Sequence, residues 1–255
     1  MGQYDEVAED YERQVVPRFR PVAERLLRVA DIRPGDDVLE VAAGTGGLSR
    51  LVAPRLDPSG SLVLTDLSAE MLAVARRVLD DGVGAGRRAP VRTLVADLAA
   101  LPFKDGSFDL LVGQMTPLLD SEPGLREAQR VVRPGGRLAV VGWGARYQET
   151  RLLNVARAAI EVGPYPPVHL RAFGPRLVRA GFASIRQRTR PMHVTHPSVE
   201  AYLDYRRAFG TAGFDRAVLD RYFVALEREV RRVFPGDGPI TIGWSITTVT
   251  AVRGA

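Results

Sequence analysis

Glu40 stands two residues ahead of the run Ala42–Ala43–Gly44–Thr45–Gly46–Gly47. Glycines at a strand-to-helix junction allow backbone angles closed to other residues and let a ligand approach the main chain. The first amides of a following helix offer donors to an anion. The order here does not suit a phosphate loop. No G-x-G-x-x-G register and no G-x-x-x-x-G-K is present, and a carboxylate at Glu40 would repel a phosphate. An acid at this point suits a ligand that carries an ammonium group. Asp66 lies 26 positions further on, and Asp97 and Gln114 follow later; each closes an apolar run. The three histidines are His169, His193 and His196. His193, His196 and Glu200 have a spacing that invites a metal reading. They fall in a strand-to-loop stretch around Pro197 rather than on one helix face, so no metal site is assigned. His169, in the loop Pro164–Tyr165–Pro166–Pro167–Val168–His169, and His196 are the candidates for a base or an acceptor contact.

The elements that must carry these residues alternate. Apolar positions Val7, Tyr11, Val15, Phe19, Val22 and Leu26 have helical spacing, and Pro17 and Pro21 are expected to divide the segment into two helices. Asp37 to Val41 reads as a first strand, Ser61 to Thr65 as a second, Val91 to Ala96 as a third, Phe108 to Gln114 as a fourth and Arg137 to Trp143 as a fifth. Helices are expected from about Gly47 to Leu56, from Ser68 to about Leu79 and from Glu122 to Val132, the last closed by Arg133–Pro134–Gly135–Gly136. This alternation, with strands apolar throughout, predicts an α/β fold with a mostly parallel sheet covered on both faces. After residue 145 the pattern turns to helices, a strand-like Ala183 to Val194, and a closing alternating strand between Pro239 and Arg253. In such sheets ligands bind at the C-terminal strand ends, where Glu40, Asp66, Asp97 and Gln114 fall.

Val38–Leu39–Glu40–Val41–Ala42–Ala43–Gly44–Thr45–Gly46 resembles the first motif of class I S-adenosylmethionine-dependent methyltransferases, particularly the ubiquinone/menaquinone-biosynthesis-like group. Thr65–Asp66–Leu67–Ser68, Val95–Ala96–Asp97–Leu98 with Leu101 to Asp109, and Arg130 to Leu138 resemble later segments of that family in order and spacing. The opening from Tyr4 to Tyr11 is similar to its N-terminal lid. The resemblance covers about residues 1–145. It implies a Rossmann-like, doubly wound, seven-stranded sheet with an antiparallel last strand and a helical lid or cap. It divides the chain into lid helices (1–30), a cofactor-binding core (31–145), and remaining core strands with cap insertions (146–255, with insertions at about 146–180 and 195–238). It implies S-adenosylmethionine as cofactor and S-adenosylhomocysteine as product. By this resemblance Glu40, Ala42, Gly44 and Gly46 would surround the methionine moiety, Asp66 would take both ribose hydroxyls, Leu67 and Met71 would flank the adenine, and Asp97 with the Leu98 amide would read its edge. Gln114 would line the methyl-donor channel and Tyr11 would close the lid. The family usually has glycine where this chain has Ala42, which narrows that side of the loop.

The expected function is methyl transfer to an O, N or C atom of a small apolar or aromatic metabolite. An RNA or protein methyltransferase, or a non-methylating descendant such as a cyclase or a binding module, are the alternatives. Composition is that of an ordinary globular chain, with 45% hydrophobic and 25% charged residues. The absence of cysteine removes disulfides and thiolate chemistry. The net charge of +5 comes from arginine, Lys104 being the only lysine. The pairs Arg76–Arg77, Arg87–Arg88, Arg206–Arg207 and Arg231–Arg232 fall in different elements, which reads as a solvated surface rather than a nucleic-acid groove. No apolar run approaches the roughly 18 residues of a membrane span, and Met1–Gly2–Gln3–Tyr4–Asp5–Glu6 does not resemble a secretion signal. A cytoplasmic monomer or homodimer acting on a small-molecule acceptor is expected.

Overall fold

The computed structural model describes residues 7–81, 89–144, 148–164, 173–209 and 215–254. Seven strands form one sheet: β1 (Asp37–Val41), β2 (Ser61–Asp66), β3 (Val91–Val95), β4 (Phe108–Gln114), β5 (Val132–Trp143), β6 (Phe182–His196) and β7 (Ile240–Arg253). Their order across the sheet is β3-β2-β1-β4-β5-β7-β6. The first five pair in parallel, and β7 runs antiparallel to both β5 and β6. This is the mostly parallel sheet expected from the alternation, with the seven strands and antiparallel last strand that the resemblance implies.

Side chains alternate between two buried layers, because successive residues of a strand point to opposite faces. Val38, Leu110, Ala139, Val141 and Ile246 join one layer. Leu39, Val41, Leu111, Leu138, Val140 and Val249 join the other. The first layer is covered by α2 (Val16–Leu27), α3 (Ser49–Val52) and α4 (Ala69–Asp81), and by α6 (Gln148–Ala158), α8 (Val199–Ala208) and α9 (Arg216–Val233). The second is covered by α5 (Glu122–Val131) and α7 (Phe173–Arg179). A short α1 (Ala8–Gln14) lies across the top and touches α2, α4 and α8.

Four local expectations change. The N-terminal segment is divided at Val15, not by its prolines: Pro17 lies in the first turn of α2 and Pro21 inside it. Both are exposed, so the carbonyl that Pro21 leaves without a donor faces water. The helix after the glycine turn is only Ser49–Val52, followed by a 3-10 turn at Ala53–Arg55 that contains Pro54. Helix α5 ends at Val131, and Arg133 to Gly136 form a bulge at the start of β5, where the register with β4 shifts between Phe108 and Leu110. Strand β3 is not covered on both faces: Val91, Leu94 and Val95 are 40–52% exposed at the sheet edge. Among the described residues no helix is long and apolar enough to cross a membrane.

Candidate active site

Strands β1, β2 and β4 end side by side, and the residues just beyond them line a cleft of about 500 Å³. Tyr11, Ala42, Gly44, Asp66, Leu67, Met71, Leu98 and Gln114 all face it. A smaller recess of about 40 Å³ continues inward past Ala42 and Gly44 and is lined by Glu40, Thr45 and Gln114.

The turn that forms the cleft floor is held by backbone bonds. The Ala43 amide donates to the Thr65 carbonyl at 3.0 Å, and the Gly46 amide to the Ala43 carbonyl at 3.0 Å. Gly46 has φ +81°, and a Cβ there would stand 3.2 Å from that of Ala75 in α4, so only glycine lets α4 pack this close. Ala42 also has a positive φ, of +52°. An L-residue in this region costs about 1–2 kcal/mol relative to the right-handed form. Met115, at the end of β4, is likewise at φ +53° and lines both the cleft and the recess. Strained backbone at two positions lining one cleft points to a functional constraint there.

Asp66 ties the loop to β2. Its Oδ2 accepts from the Gly44 amide at 2.8 Å and its Oδ1 from the Ser68 amide at 3.0 Å. Each carboxylate oxygen has a second lone pair, so Asp66 can still accept from a ligand. Glu40 is buried at 1% exposure and accepts from Ser49 Oγ at 2.6 Å. Burial pushes its carboxyl up to about 8; the Ser49 hydroxyl opposes this and the nearby Asp66 carboxylate adds to it. Glu40 is therefore largely neutral near pH 7. A cation beside it would draw its proton off.

The N-terminal helices are bolted onto this loop. Thr45 Oγ1 donates to Glu12 at 2.6 Å, and the same carboxylate pairs with Arg50 at 2.8 Å. The Gln114 side-chain amide donates to the Phe19 carbonyl at 2.9 Å, and Arg77 forks onto Glu9 through two bonds of 2.8 Å. Tyr11 meets Phe209 of the cap edge-on, with ring centroids 5.9 Å apart. Helix α1 thus spans the glycine loop, α4 and α8.

Some expected site residues stand elsewhere. Asp97 is exposed at the rim, where its carboxylate accepts from the Ala99 amide at 2.8 Å; its neighbours Ala96 and Leu98 line the cleft. Gly46 supports the turn and does not line the cleft. His196 is fully buried in the cap between the rings of Tyr202 and Tyr205. Neither of its ring nitrogens has a hydrogen-bond partner among the described residues. Burial, reinforced by the Arg18 and Arg206 cations, pushes it down to about 4. It is a neutral core histidine that does not face the cleft. His169 lies outside the described residues, as does Tyr4. The far wall of the cleft is formed by residues that the sequence did not single out: Met115, Pro117, Leu119, Trp143 and Phe173. Trp143 is a strand-end apolar residue like many others, and it reaches this opening because β5 ends there.

Residues 38–136 match the family model described as a methyltransferase domain. That stretch, 99 of the chain's 255 residues, is the part similar to a methyltransferase domain. Ubiquinone/menaquinone biosynthesis C-methyltransferase UbiE of Hahella chejuensis (strain KCTC 2396) is 42% identical to it over 113 residues, which are 43% of this chain and 44% of that protein. The chain thus spans under half the length of that relative. Nocamycin O-methyltransferase of Saccharothrix syringae is 28% identical over an alignment covering 97% of this chain and 96% of that protein. Among solved structures, the YcgJ protein of Bacillus subtilis superposes with a TM-score of 0.64 at 18% identity, covering 91% of this chain and 98% of that one. The stretch so matched contains the glycine turn, Asp66, Asp97 and Gln114. Helices α6 to α9 lie outside the family match.

Proposed function

We propose that this protein transfers a methyl group from S-adenosylmethionine to an oxygen of a small apolar or aromatic metabolite. The observation that carries the reading is the joint placement of Asp66, tied to the Gly44 amide, and buried Glu40 around one glycine turn. That pair of acceptors fits a ligand with vicinal hydroxyls at one end and an ammonium at the other, and the cleft volume is within the range of small-molecule sites. S-adenosylmethionine supplies an electrophilic methyl group on a sulfonium that leaves as the neutral thioether of S-adenosylhomocysteine.

What the chain supplies is position. Asp66 would hold the ribose hydroxyls through charge-assisted bonds, Glu40 in its ionised form the ammonium, and Leu67, Met71 and Leu98 the adenine. Asp97 at the rim would reach the adenine amino group. Gln114 and Tyr11 close the inner side. Holding acceptor and donor in line is the main demand of this displacement, since the leaving group is already good. Met115, Trp143, Leu119 and Phe173 give the acceptor an apolar wall that excludes water. An oxygen acceptor is favoured because the relative matching along nearly the whole chain, cap included, is an O-methyltransferase by name, whereas the C-methyltransferase matches over 43% of the chain. No histidine among the described residues lines the cleft, whereas the Asp120 carboxylate does; Asp120 and, of the histidines, His169 are the candidates to take the proton of a hydroxyl acceptor.

The test is mass spectrometry of a panel of phenols, enols, amines and carbon acids incubated with the protein and S-adenosylmethionine. The expected result is an acceptor that gains one methyl group with one S-adenosylhomocysteine formed per turnover. Cofactor binding without transfer to any member, with rearrangement of one of them instead, would establish the non-methylating alternative.

A further inference from the structure

Away from the cleft, the sheet face beneath α2 runs out before the sheet does. Helix α2 leaves Thr248 and Thr250 of β7 and the outer strand β6 without a covering helix, and a groove of about 640 Å³ opens between them. Its lining is Arg25, Arg28, Val29, Arg186, Arg188, Arg190, Thr248 and Thr250, and it shares no residue with the cleft. Arg25 and Arg28 are one helical turn apart, so they share a face. Arg186, Arg188 and Arg190 alternate along β6 and pair in register with Thr250, Thr248 and Ile246. They therefore point to one side of the strand, the side on which Ile246 meets the α2 layer.

Five guanidinium groups thus converge with no carboxylate in the lining. Among the described residues none of the five makes an ion pair. The nearby acids are engaged elsewhere: Glu24 with Arg20 at 3.0 Å and Asp31 with Arg33 at 3.0 Å. One nitrogen of Arg25, Nη1, is buried with no hydrogen-bond partner. A buried charged donor without a partner is unfavourable unless something accepts from it. Charges that merely guard an exposed sheet edge against pairing with another chain need only stand on the edge strand. Here two of the five come from a helix and face the strand across a concavity.

We propose that this groove binds a small polyanion with clustered phosphates, of the diphosphate class. Guanidinium forks suit phosphate oxygens bidentately, and the threonine hydroxyls add neutral donors. The size is that of a small-molecule site. No lining residue is aromatic, whereas grooves for single-stranded nucleic acid stack bases on aromatic rings. The inference does not depend on the reaction in the cleft.

Calorimetric titration of the full chain with inorganic pyrophosphate and with ADP, at constant ionic strength, tests it. Saturable binding of one ligand per chain is expected. Replacement of two exposed residues, in Arg188→Ser/Arg190→Ser, should weaken binding about tenfold or more while leaving S-adenosylmethionine binding unchanged. Tighter binding of ADP than of pyrophosphate would identify an ester as the ligand; equal binding would identify the diphosphate group alone. Failure to saturate with either, unchanged affinity in the folded double variant, or tighter binding of a single-stranded RNA oligonucleotide than of both would each overturn the proposal.

Discussion

Ala42 and Glu40 are the two residues at which the glycine turn departs from an unremarkable loop. Ala42 carries a Cβ in the left-handed region, where glycine is at home. Ala42→Gly relieves the strain but restores freedom to the unfolded chain, which offsets part of the gain. A net stabilisation of about 0.5–1 kcal/mol is expected, seen as a rise in Tm of roughly 2 °C for a chain of this size. Thermal unfolding of the two proteins side by side decides it, and an unchanged or lower Tm would show that the turn is not strained. Glu40 makes a different prediction. Its folded carboxyl is raised to about 8 from 4.5. A group raised in this way contributes stability that is present below the unfolded value and is lost as pH climbs through the folded one. Between about pH 5 and pH 8 the wild type should therefore lose stability relative to Glu40→Gln, which has nothing to ionise. The same shift predicts that an ammonium-bearing ligand releases a proton on binding at pH 7. Calorimetry in buffers of different ionisation enthalpy should show that release in the wild type and none in Glu40→Gln.

Among the elements, the N-terminal helix makes the sharpest claim, because its acid Glu12 holds Thr45 of the glycine loop and Arg50 of α3 at once. Glu12→Ala removes both contacts from a half-buried position. The expected effect is a faster release of bound cofactor, with affinity weakened about three- to tenfold, or about 0.7–1.4 kcal/mol, since much of the roughly 1.5–3 kcal/mol of a charged hydrogen bond is lost from the free and the bound protein alike. Stopped-flow displacement of S-adenosylmethionine measures it; an unchanged off-rate would mean that α1 does not act as a lid. At this scale much was legible. The alternation of apolar strands with helices located β1, β2, β4 and β5, because parallel strands buried on both faces must be apolar throughout. The short α3, the bulge at Arg133 to Gly136 and the open edge at β3 were not legible, since each depends on what packs next to the segment. The cleft-floor residues could be read because they follow strand ends in order. Glu12, Met115 and Trp143 could not, because each is one helix or strand residue among many and acquires its place only when α1 and β5 dock.

At the scale of the whole molecule, the stretch 38–136 is joined to the helices that follow it by one continuous apolar layer running from α2 through Trp244 to α8 and α9. Within it Glu149 and Arg206 form a buried pair at 3.5 Å. Burial works against the Arg206 cation, but the Glu149 carboxylate beside it keeps the guanidinium charged. Among the described residues, the aromatics of the 195–238 segment serve this packing, with Tyr202 and Tyr205 fully buried, rather than a ligand cage. The sequence showed arginines scattered along the chain; only the folding of β6 against α2 collects five of them on one surface. The central claim concerns the cleft, and calorimetric titration of the purified chain with S-adenosylmethionine tests it most directly. One saturable site per chain is predicted, weakened about tenfold or more by Asp66→Ala, because a charged acceptor contributes about 1.5–3 kcal/mol. No heat of binding from the folded wild type, or equal affinity in the folded Asp66→Ala variant, would contradict the account.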